Sequence, residues 1–296
     1  MSDKLRNFIV RTLSGTVLLL VVLGASFAGY AGYATLLGVI TLGGVVEFYR
    51  LAKAKGTEPQ RGWGIISALL LYISGVLIGG GFVLGADPEE IHGIALFGAG
   101  LLCFVLAFAL ILAIFFVEVF RNRQTPIFNI ATTIMGVVYV ALPMSLMVLV
   151  PVFLGGEGVW RPWCFICYLF LVWGNDVFAY LVGVTMGRHK MCERLSPKKS
   201  WEGFVGGLVG ALAMGIVGAE VTGGGYGLWL GLALVVSLSS VVGDLVESMF
   251  KRDAGVKDSG NILPGHGGIL DRFDALILSA PCAFIYLCIV LFATNI

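Results

Sequence analysis

The stretch Gly93-Ile-Ala-Leu-Phe-Gly-Ala-Gly-Leu-Leu-Cys-Phe-Val-Leu-Ala-Phe-Ala-Leu-Ile-Leu-Ala-Ile-Phe-Phe-Val117 is 25 residues long and contains no charged side chain. As an α-helix it would extend about 37 Å, which exceeds the roughly 30 Å hydrocarbon core of a bilayer. Backbone groups in lipid must find hydrogen-bond partners within their own segment, so a helix is the required form. This stretch therefore predicts a transmembrane helix.

Comparable apolar stretches recur along the whole chain. Of its 296 residues, 58% are hydrophobic and only 12% are charged, which is about half the charge of a soluble domain. We predict an all-α fold, a polytopic transmembrane helix bundle of about nine spans. The predicted spans are residues 7–28, 30–51, 63–85, 91–120, 127–150, 161–186, 203–222, 226–247 and 273–294.

Basic residues are distributed unevenly between the predicted connections. If the amino terminus is cytoplasmic, 18 of the 19 Lys and Arg residues lie on that side, and Arg161 alone lies on the other. Cytoplasmic loops carry an excess of Lys and Arg, so this split predicts a cytoplasmic amino terminus and an outside carboxyl terminus. The net charge of +1 gives no case for nucleic-acid binding.

Cysteine and histidine give little evidence of redox or zinc chemistry. Cys164-x-x-Cys167 has redox spacing, but it lies in an apolar segment, so we predict buried thiols that pack as small hydrophobic side chains. The three histidines, at 92, 189 and 266, are too scattered to define a zinc site.

Two predicted cytoplasmic loops, residues 187–202 and 248–272, are longer and more polar than the others. Polar chain concentrated in two loops of so apolar a protein indicates the working face. Both loops belong to a predicted carboxy-terminal catalytic region, residues 161–296. It follows an amino-terminal transmembrane region of about five spans, residues 1–160.

Acidic residues flank the second loop on both sides. Asp244, Glu247, Ser248 and Lys251 recur at helical spacing and share one face where the eighth span meets the cytoplasm. Asp271 and Asp274 open the ninth span. Carboxylates brought together from two helix ends are hard oxygen ligands that suit Mg²⁺. Taken singly, Asp271 could instead be an N-cap and Asp274 a partner of the helix dipole.

Positive charge and a glycine-rich turn lie between these carboxylates. Four basic residues could neutralise phosphates, namely Lys251, Arg252, Lys257 and Arg272. The turn Pro264-Gly-His-Gly-Gly268 offers backbone N–H groups that a phosphate can approach closely, because no side chains intervene. As alternatives, Lys251 and Arg252 could be snorkelling interfacial anchors, and His266 could be a structural part of the turn.

The order Ser248-x-x-Lys-Arg252, Lys257-Asp258 and Pro264-Gly-His-Gly-Gly-Ile-Leu-Asp-Arg-Phe-Asp274 resembles the signature of phosphatidate cytidylyltransferases, the CDP-diacylglycerol synthases. A second block agrees with that family, although Val177 and Phe178 are bulkier here than in many members. It comprises Asn175-Asp-Val-Phe-Ala-Tyr180, Gly183, Gly187-Arg-His-Lys190 and Leu195-Ser-Pro-Lys-Lys-Ser-Trp-Glu-Gly203. The resemblance covers about residues 173–274, and the first five spans match only in hydropathy.

The second block contains further candidates. Asp176 lies well inside the sixth predicted span, where an ionisable group is costly and functional by default, with a structural pairing as the alternative. Ser196-Pro197 predicts an N-cap and a proline at the first position of a short helix. Lys198 and Lys199 would then stand at the mouth of the site, unless they are ordinary cytoplasmic charge. Two interleaved GxxxG pairs predict tight helix packing, namely Gly203, Gly206, Gly207 and Gly210.

The resemblance implies a reaction in which the phosphate of phosphatidic acid attacks the α-phosphorus of CTP, and pyrophosphate leaves. The expected Mg²⁺ ligands are Asp244 and Asp271, supported by Asp176 and Asp274, and a second metal stays open. The expected catalytic residues are Asp176, Asp244, Lys251, Arg252, His266, Asp271, Arg272 and Asp274. The expected substrate-binding residues are Ser196, Lys198, Lys199, Ser248, Lys257, Asp258, Gly265, Gly267 and Gly268.

The expected partners are CTP, phosphatidic acid and membrane lipids, and a homodimer is left open. We expect a bacterial inner membrane protein with a cytoplasmic active site. One alternative is a CTP-dependent polyprenol or phytol kinase, which would transfer the γ-phosphoryl group, and the long signature argues against it. Another is a transporter with Asp176 and Asp244 on a midplane ion path, but it leaves the cytoplasmic cluster of glycine, histidine and carboxylates unexplained.

Overall fold

The computed structural model describes residues 3–85, 91–156, 159–262, 264–265 and 267–294. Within these residues the chain forms ten α-helices and two short strands. In order they are α1 (Asp3–Phe27), α2 (Gly29–Ala54), α3 (Arg61–Leu84), α4 (Ile91–Arg121), α5 (Pro126–Gly136), α6 (Leu142–Gly155), α7 (Pro162–Met186), β1 (Lys190–Cys192), β2 (Ser196–Ser200), α8 (Trp201–Thr222), α9 (Tyr226–Asp253) and α10 (Leu270–Thr294).

These helices make nine candidate membrane spans within the described residues, as the sequence predicts. Helices α5 and α6 form one span, because a π-helical turn at Val137–Ala141 joins them. Pro143 lies two residues after this turn and has no backbone N–H, so the regular α-helical hydrogen bonds cannot run through this point. By length and composition the chain is that of an integral membrane protein.

Helix α9 ends later than the predicted boundary at residue 247. It runs to Asp253, and its carbonyl groups are capped by Gly255 N–H to Arg252 O (3.1 Å) and Val256 N–H to Lys251 O (2.9 Å). Gly255 has φ +71°, so the end is a Schellman motif with glycine at its left-handed position. Lys251 and Arg252 therefore belong to the last turn of α9, where positive charge favours the helix dipole.

The prediction that a short helix begins at Ser196-Pro197 is wrong. The segment is instead strand β2, which pairs antiparallel with β1, and the helix begins at Trp201. Ser200 is the actual N-cap, since its Oγ accepts from Gly203 N–H at 3.1 Å. Pairing with β1 satisfies backbone groups that a helix would otherwise use, and proline is tolerated at the start of an edge strand.

By their internal contacts the described residues form two compact units. Unit 1 holds the chain up to Val148 together with Phe250–Phe273, and unit 2 holds Leu149–Met249 together with the chain from Asp274. Each unit thus includes residues from both sides of the predicted boundary at residue 160. Helices α9 and α10 contribute residues to both units.

Unit 1 is held together by buried polar contacts as well as by apolar packing. The Tyr33 hydroxyl donates to Met147 O and the Tyr49 hydroxyl to Thr133 O, at 2.6 and 2.7 Å. Each bond joins two helices through a backbone carbonyl, which fixes their register along one another. Such bonds are favoured inside an apolar bundle, where an unpaired hydroxyl would be costly.

A buried glutamate also joins three elements of unit 1. The Glu118 side chain, on α4, is only 2% exposed. It accepts from Gln60 Nε2 (2.6 Å), Arg121 (2.7 Å) and Asn129 Nδ2 (2.9 Å). These partners lie just before α3, at the end of α4 and on α5, so this glutamate network ties one end of the three helices together.

In unit 2, α7 and α8 pack through the predicted glycines. Gly203, Gly206, Gly207 and Gly210 are all buried. A Cβ at Gly207 would lie 2.7 Å from Asn175 Oδ1, and one at Gly210 would lie 2.7 Å from Gly174 O. The predicted tight packing is confirmed. Cys164 and Cys167 are free, buried thiols on α7, also as predicted.

Candidate active site

Three carboxylates converge in unit 2. Asp244 and Glu247 lie three residues apart on one face of α9, and Asp274 lies in the second turn of α10. One side-chain oxygen of each lies within 4.8 Å of the others, and we call these residues the carboxylate cluster. Glu247 is buried, whereas Asp244 and Asp274 are half-buried.

Glycine at position 243 allows this convergence. A Cβ there would lie 2.6 Å from Asp274 O, closer than real side chains come, and 3.2 Å from Leu278 Cβ, a tight contact. The absence of a side chain therefore lets α9 approach the backbone of α10 directly beside Asp244. The carboxylate cluster therefore depends on the close contact between α9 and α10 as well as on its three acidic side chains.

Asp244 also lines a cavity of about 260 Å³ in unit 2, together with Asp176, Tyr180 and Lys199. The Lys199 ammonium lies 2.7 Å from Asp244 Oδ2, and its side chain is 24% exposed. The lining of this cavity is mostly apolar, and the Lys199 ammonium is the group in it that could hold an anion. Asp176 and Lys199, singled out from the sequence, are thus brought together with Asp244.

The buried side-chain amide of Asn175 helps to position Asp176, which lines this cavity. Asn175 Oδ1 accepts from the Ser237 hydroxyl at 2.7 Å. Its Nδ2 donates to Ser240 Oγ and to Asp176 Oδ1, both at 3.4 Å. Asn175 thereby links α7 to α9 beside Asp176, which limits the positions that the Asp176 carboxylate can take.

The strands β1 and β2 place Lys199 in the cavity. Glu202, in the first turn of α8, accepts from Arg188 N–H (3.1 Å) and His189 N–H (3.2 Å) and contacts His189 Nδ1 at 2.5 Å. The backbone adds a bond from Trp201 N–H to His189 O at 2.9 Å. The connection from α7 is therefore folded back onto the start of α8, with Lys199 half-buried and Lys198 exposed.

The segment between α9 and α10, residues 254–269, carries most of the signature, and we call it the signature loop. Asp271 lies just after the loop, in the first turn of α10 and in unit 1. It forms an ion pair with Lys251 at 2.7 Å, and the two side chains are 4% and 13% exposed. Its Oδ2 accepts from Ser259 N–H (2.8 Å), the Ser259 hydroxyl (3.0 Å) and Gly268 N–H (2.7 Å). In unit 1, Asp271 therefore anchors the loop, and its predicted role as a metal ligand stays a prediction.

The remaining predicted residues have varied surroundings. Ser248 is buried and donates to Asp244 Oδ1 at 3.3 Å, and Ser196 is half-buried on β2. Arg252 donates to Val256 O at 3.1 Å. His266 lies outside the described residues. The exposed residues of the predicted site are Asp176, Lys198, Arg252, Lys257, Asp258, Gly265 and Arg272.

The donor set of the carboxylate cluster fits a magnesium ion. All three side chains offer hard oxygen ligands, the type that Mg²⁺ binds, usually with water and phosphate oxygens in its other positions. Three like charges within 4.8 Å repel one another, and a divalent cation would offset that repulsion. The fit rests on this convergence of charges.

The sequence matches the Cytidylyltransferase family over residues 9–290, which is nearly the whole chain. The chain belongs to this family. The enzyme is thus a nucleotidyltransferase, and the loop and helix ends just described lie within the matched range. The match includes the first five spans, which the sequence alone related to the family only by hydropathy.

Curated relatives of the enzyme are named phosphatidate cytidylyltransferase. The protein of Synechocystis sp. is 29% identical over 285 residues, which cover 85% of this chain and 87% of that relative. The protein of Staphylococcus aureus (strain COL) is 50% identical over 120 residues, 40% of this chain and 46% of the relative. That of Mycobacterium tuberculosis (strain CDC 1551 / Oshkosh) is 46% identical over 127 residues, 42% and 38% of the two chains.

Two acidic residues in notable positions were missing from the predicted site. Glu247 shares a helix face with Asp244, and that spacing could have placed it among the metal ligands. Glu47 lies inside α2 with no exposed surface. The argument that singled out Asp176, an ionisable group within a membrane span, applies equally to Glu47.

Proposed function

We propose that this cytidylyltransferase transfers the cytidylyl group of CTP to phosphatidic acid, giving CDP-diacylglycerol and pyrophosphate for phospholipid biosynthesis. The observation that carries this proposal is the family match over residues 9–290. The names of the relatives in Synechocystis, Staphylococcus and Mycobacterium support the choice of substrates. The cavity that holds Lys199, Asp176 and Asp244 suits an anionic nucleotide that arrives from water.

The reaction makes modest demands on general acid–base chemistry. An oxygen of the lipid phosphate forms a bond to the α-phosphorus of CTP while the bond from that phosphorus to the β-phosphate oxygen breaks, and pyrophosphate leaves. A phosphate monoester is an adequate nucleophile at neutral pH, so the protein mainly orients the substrates and neutralises their charge. No strong base among the cavity residues is required.

Lys199 is the residue of this chain best placed to hold a phosphate. Its ammonium has three donors, of which one is directed at Asp244 Oδ2 at 2.7 Å and one at Val241 O at 3.4 Å. A bound phosphate could take up another donor without breaking that ion pair. Asp244 would then keep the ammonium directed into the cavity, and Asn175 would keep Asp176 in place beside it.

Magnesium is proposed as the metal of the carboxylate cluster, with Asp244, Glu247 and Asp274 as the residues that would hold it. When bound, it would neutralise the negative charge of the phosphates during transfer. Asp176, which lines the same cavity as Asp244, would support the cluster. Asp271 remains proposed as a ligand because of its place in the signature. Comparing the Asp271→Asn and Asp244→Asn variants tests this role.

We place the active site on the cytoplasmic side of a bacterial inner membrane. The 18-to-1 distribution of Lys and Arg supports a cytoplasmic signature loop. The relatives named above are bacterial, which supports the choice of membrane. At this surface CTP and pyrophosphate exchange with water, while the acyl chains of both lipids stay in the bilayer.

Labelled CTP tests the proposed reaction against its nearest alternative. A cytidylyltransferase breaks the bond between the α- and β-phosphates, so α-label enters the lipid extract and γ-label leaves as pyrophosphate. A CTP-dependent lipid kinase would send γ-label into the lipid and release CDP. Parallel incubations with α- and γ-labelled CTP, phosphatidic acid and Mg²⁺ distinguish the two, with Asp244→Asn as the inactive control. γ-Label in lipid, or no label in lipid, would reject the proposal.

A further inference from the structure

Glu47 is a carboxylate inside a membrane-spanning helix that the proposed reaction leaves without a role. It lies in α2 of unit 1, about two turns before the helix ends at Ala54, and none of its surface is exposed. Burial of a carboxylate is costly unless its oxygens accept several hydrogen bonds. Its partners therefore indicate what the residue does.

Within the part of the chain that the structure describes, the hydrogen bonds of Glu47 come from the signature loop and the start of α10. Oε1 accepts from Ile269 N–H at 3.0 Å, and Oε2 accepts from Leu270 N–H at 2.9 Å and from the Ser259 hydroxyl at 3.0 Å. The first N–H groups of a helix have no partner within the helix and carry its positive dipole end. Glu47 thus caps α10 from a different helix.

Two glycines of the signature make room for this carboxylate. A Cβ at Gly260 would lie 2.8 Å from Glu47 Cδ, and one at Gly268 would lie 2.6 Å from Glu47 Oε1. Gly268 N–H itself donates to Asp271 Oδ2 at 2.7 Å. The Gly268 donor of this turn, which the sequence predicts to face a phosphate, is here directed at a carboxylate of the protein.

Ser259 connects Glu47 to the ion pair between the two helix ends that flank the loop. Its hydroxyl lies 3.0 Å from both Glu47 Oε2 and Asp271 Oδ2, and Asp271 pairs with Lys251 at 2.7 Å. A continuous series of polar contacts therefore runs from α2 through the loop to the last turn of α9. Lys257 and Asp258 directly precede Ser259 in the chain, so the contact at Ser259 restricts both of them.

We propose that Glu47 is a positioning residue for cytidylyl transfer, and that its buried carboxylate holds the signature loop and the first turn of α10 in the arrangement that the reaction requires. Helix α2 would thus contribute to catalysis as well as to the membrane anchor. The inference rests on the proposed function, because it assumes that the loop serves that reaction. The order that Glu47 imposes on the loop is measurable without turnover.

Glu118→Gln is the matched control for Glu47→Gln. Both glutamates are buried in unit 1 and accept three hydrogen bonds, but the partners of Glu118 are Gln60, Arg121 and Asn129, none of which belongs to the signature loop. Either substitution replaces one acceptor oxygen by an amide donor and should lower the thermal midpoint in detergent. Only the change at residue 47 should alter the loop.

The experiment compares full-length Glu47→Gln, Glu47→Asp and Glu118→Gln with the parent enzyme in detergent. Glu47→Gln should lower kcat by about 100-fold, the size expected for a misplacement of about 1 Å, with a smaller change in KM for CTP. Amides of residues 256–270 should exchange hydrogen faster. Glu47→Asp keeps the negative charge on a side chain that is one methylene shorter, so its kcat should lie between those of the parent and Glu47→Gln. This variant supplies the test if Glu47→Gln does not fold.

Glu118→Gln should keep kcat within about threefold of the parent per folded molecule. A substitution outside the site is expected to change stability and to leave turnover nearly unchanged. Parental exchange at residues 256–270 in both Glu47 variants would overturn the inference, as would equal losses of kcat in Glu47→Gln and Glu118→Gln. A parent that makes no CDP-diacylglycerol would reject the proposed function instead. The exchange comparison would then still decide whether Glu47 orders the loop.

Discussion

Lys198 and Lys199 are neighbours in the sequence with different surroundings, because successive residues of a strand face opposite ways. Lys199 lines the cavity beside Asp244, whereas Lys198 is exposed on β2. We expect Lys199→Ala to raise KM for CTP by tenfold or more, since a hydrogen bond to a charged group contributes about 1.5–3 kcal/mol. Lys198→Ala should have a smaller effect.

The measurement is steady-state kinetics with CTP and phosphatidic acid varied in turn. KM for the lipid should change less than KM for CTP in Lys199→Ala, because the ammonium is proposed to hold the triphosphate. Equal effects of the two lysines, or a matched rise in KM for both substrates, would exclude this role for Lys199.

The roles of Asp244 and Asp271 can be distinguished experimentally because the two side chains differ in burial. Asp244→Asn should lower kcat by about 100-fold or more, because metal ions supply several kcal/mol of charge stabilisation. Its thermal midpoint should change little, since the side chain is 41% exposed. Asp271→Asn should lower turnover and also stability, because it removes the charge that pairs with Lys251 and accepts three hydrogen bonds from the loop.

Thermal unfolding in detergent and Mg²⁺-dependent turnover of both variants provide the comparison. A stable Asp244→Asn variant with turnover within threefold of the parent would remove Asp244 from the site. An Asp271→Asn variant with parental stability would show that the Lys251 pair does not anchor the loop.

Sequence reasoning identified Asp176, Asp244 and Lys199 because a long motif marks them. It could not show which carboxylates meet, since that depends on how closely α9 and α10 pack at Gly243. Glu47 was missed for a related reason. Its partners are more than 200 residues away in the chain, and no local pattern connects an acidic residue in the second span with a turn before the last.

At the level of elements, the spans were predictable because long apolar stretches leave the helix as the only satisfactory backbone form. The segment from Lys190 to Ser200 was not, because Ser-Pro is compatible both with a helix start and with an edge strand. Its pairing partner β1 decides between them, and three residues of strand carry too weak a pattern to be recognised.

The contact between α7 and α8 allows a test of close packing. Gly207→Ala should lower the thermal midpoint, because its Cβ would lie 2.7 Å from Asn175 Oδ1 in a buried interface. Turnover should fall as well, since Asn175 bonds Asp176. Gly98→Ala on α4 is the control, as its Cβ would meet nothing within 4 Å.

Alanine favours a helix over glycine by about 1 kcal/mol, so the Gly98 variant should be as stable as the parent or more stable. Differential scanning fluorimetry in detergent gives both midpoints. A Gly207→Ala variant with parental stability and turnover would mean that α7 and α8 need no glycine at this contact.

At the scale of the whole molecule, the distribution of charge predicts how the chain crosses the membrane. The connection between α9 and α10 should be cytoplasmic and that between α8 and α9 should lie outside, given the 18-to-1 split of basic residues. Asn261 and Gly225 are exposed residues in these two connections and suit single-cysteine labelling. Ser259 is unsuitable, because it is buried and bonded to Glu47.

Asn261→Cys and Gly225→Cys are each placed in a variant whose six native cysteines have been replaced. In sealed right-side-out vesicles an impermeant maleimide should label Gly225→Cys at once and Asn261→Cys only after the membrane is permeabilised. Inverted vesicles should reverse the order. Because one span, α9, lies between the two positions, labelling of both from the same side would mean that α9 does not cross the membrane. A fully reversed pattern would keep the nine spans but put the signature loop outside, where cytoplasmic CTP cannot reach it. In that case the positive charge would not set the orientation of this enzyme, and the proposed side of the reaction would be wrong.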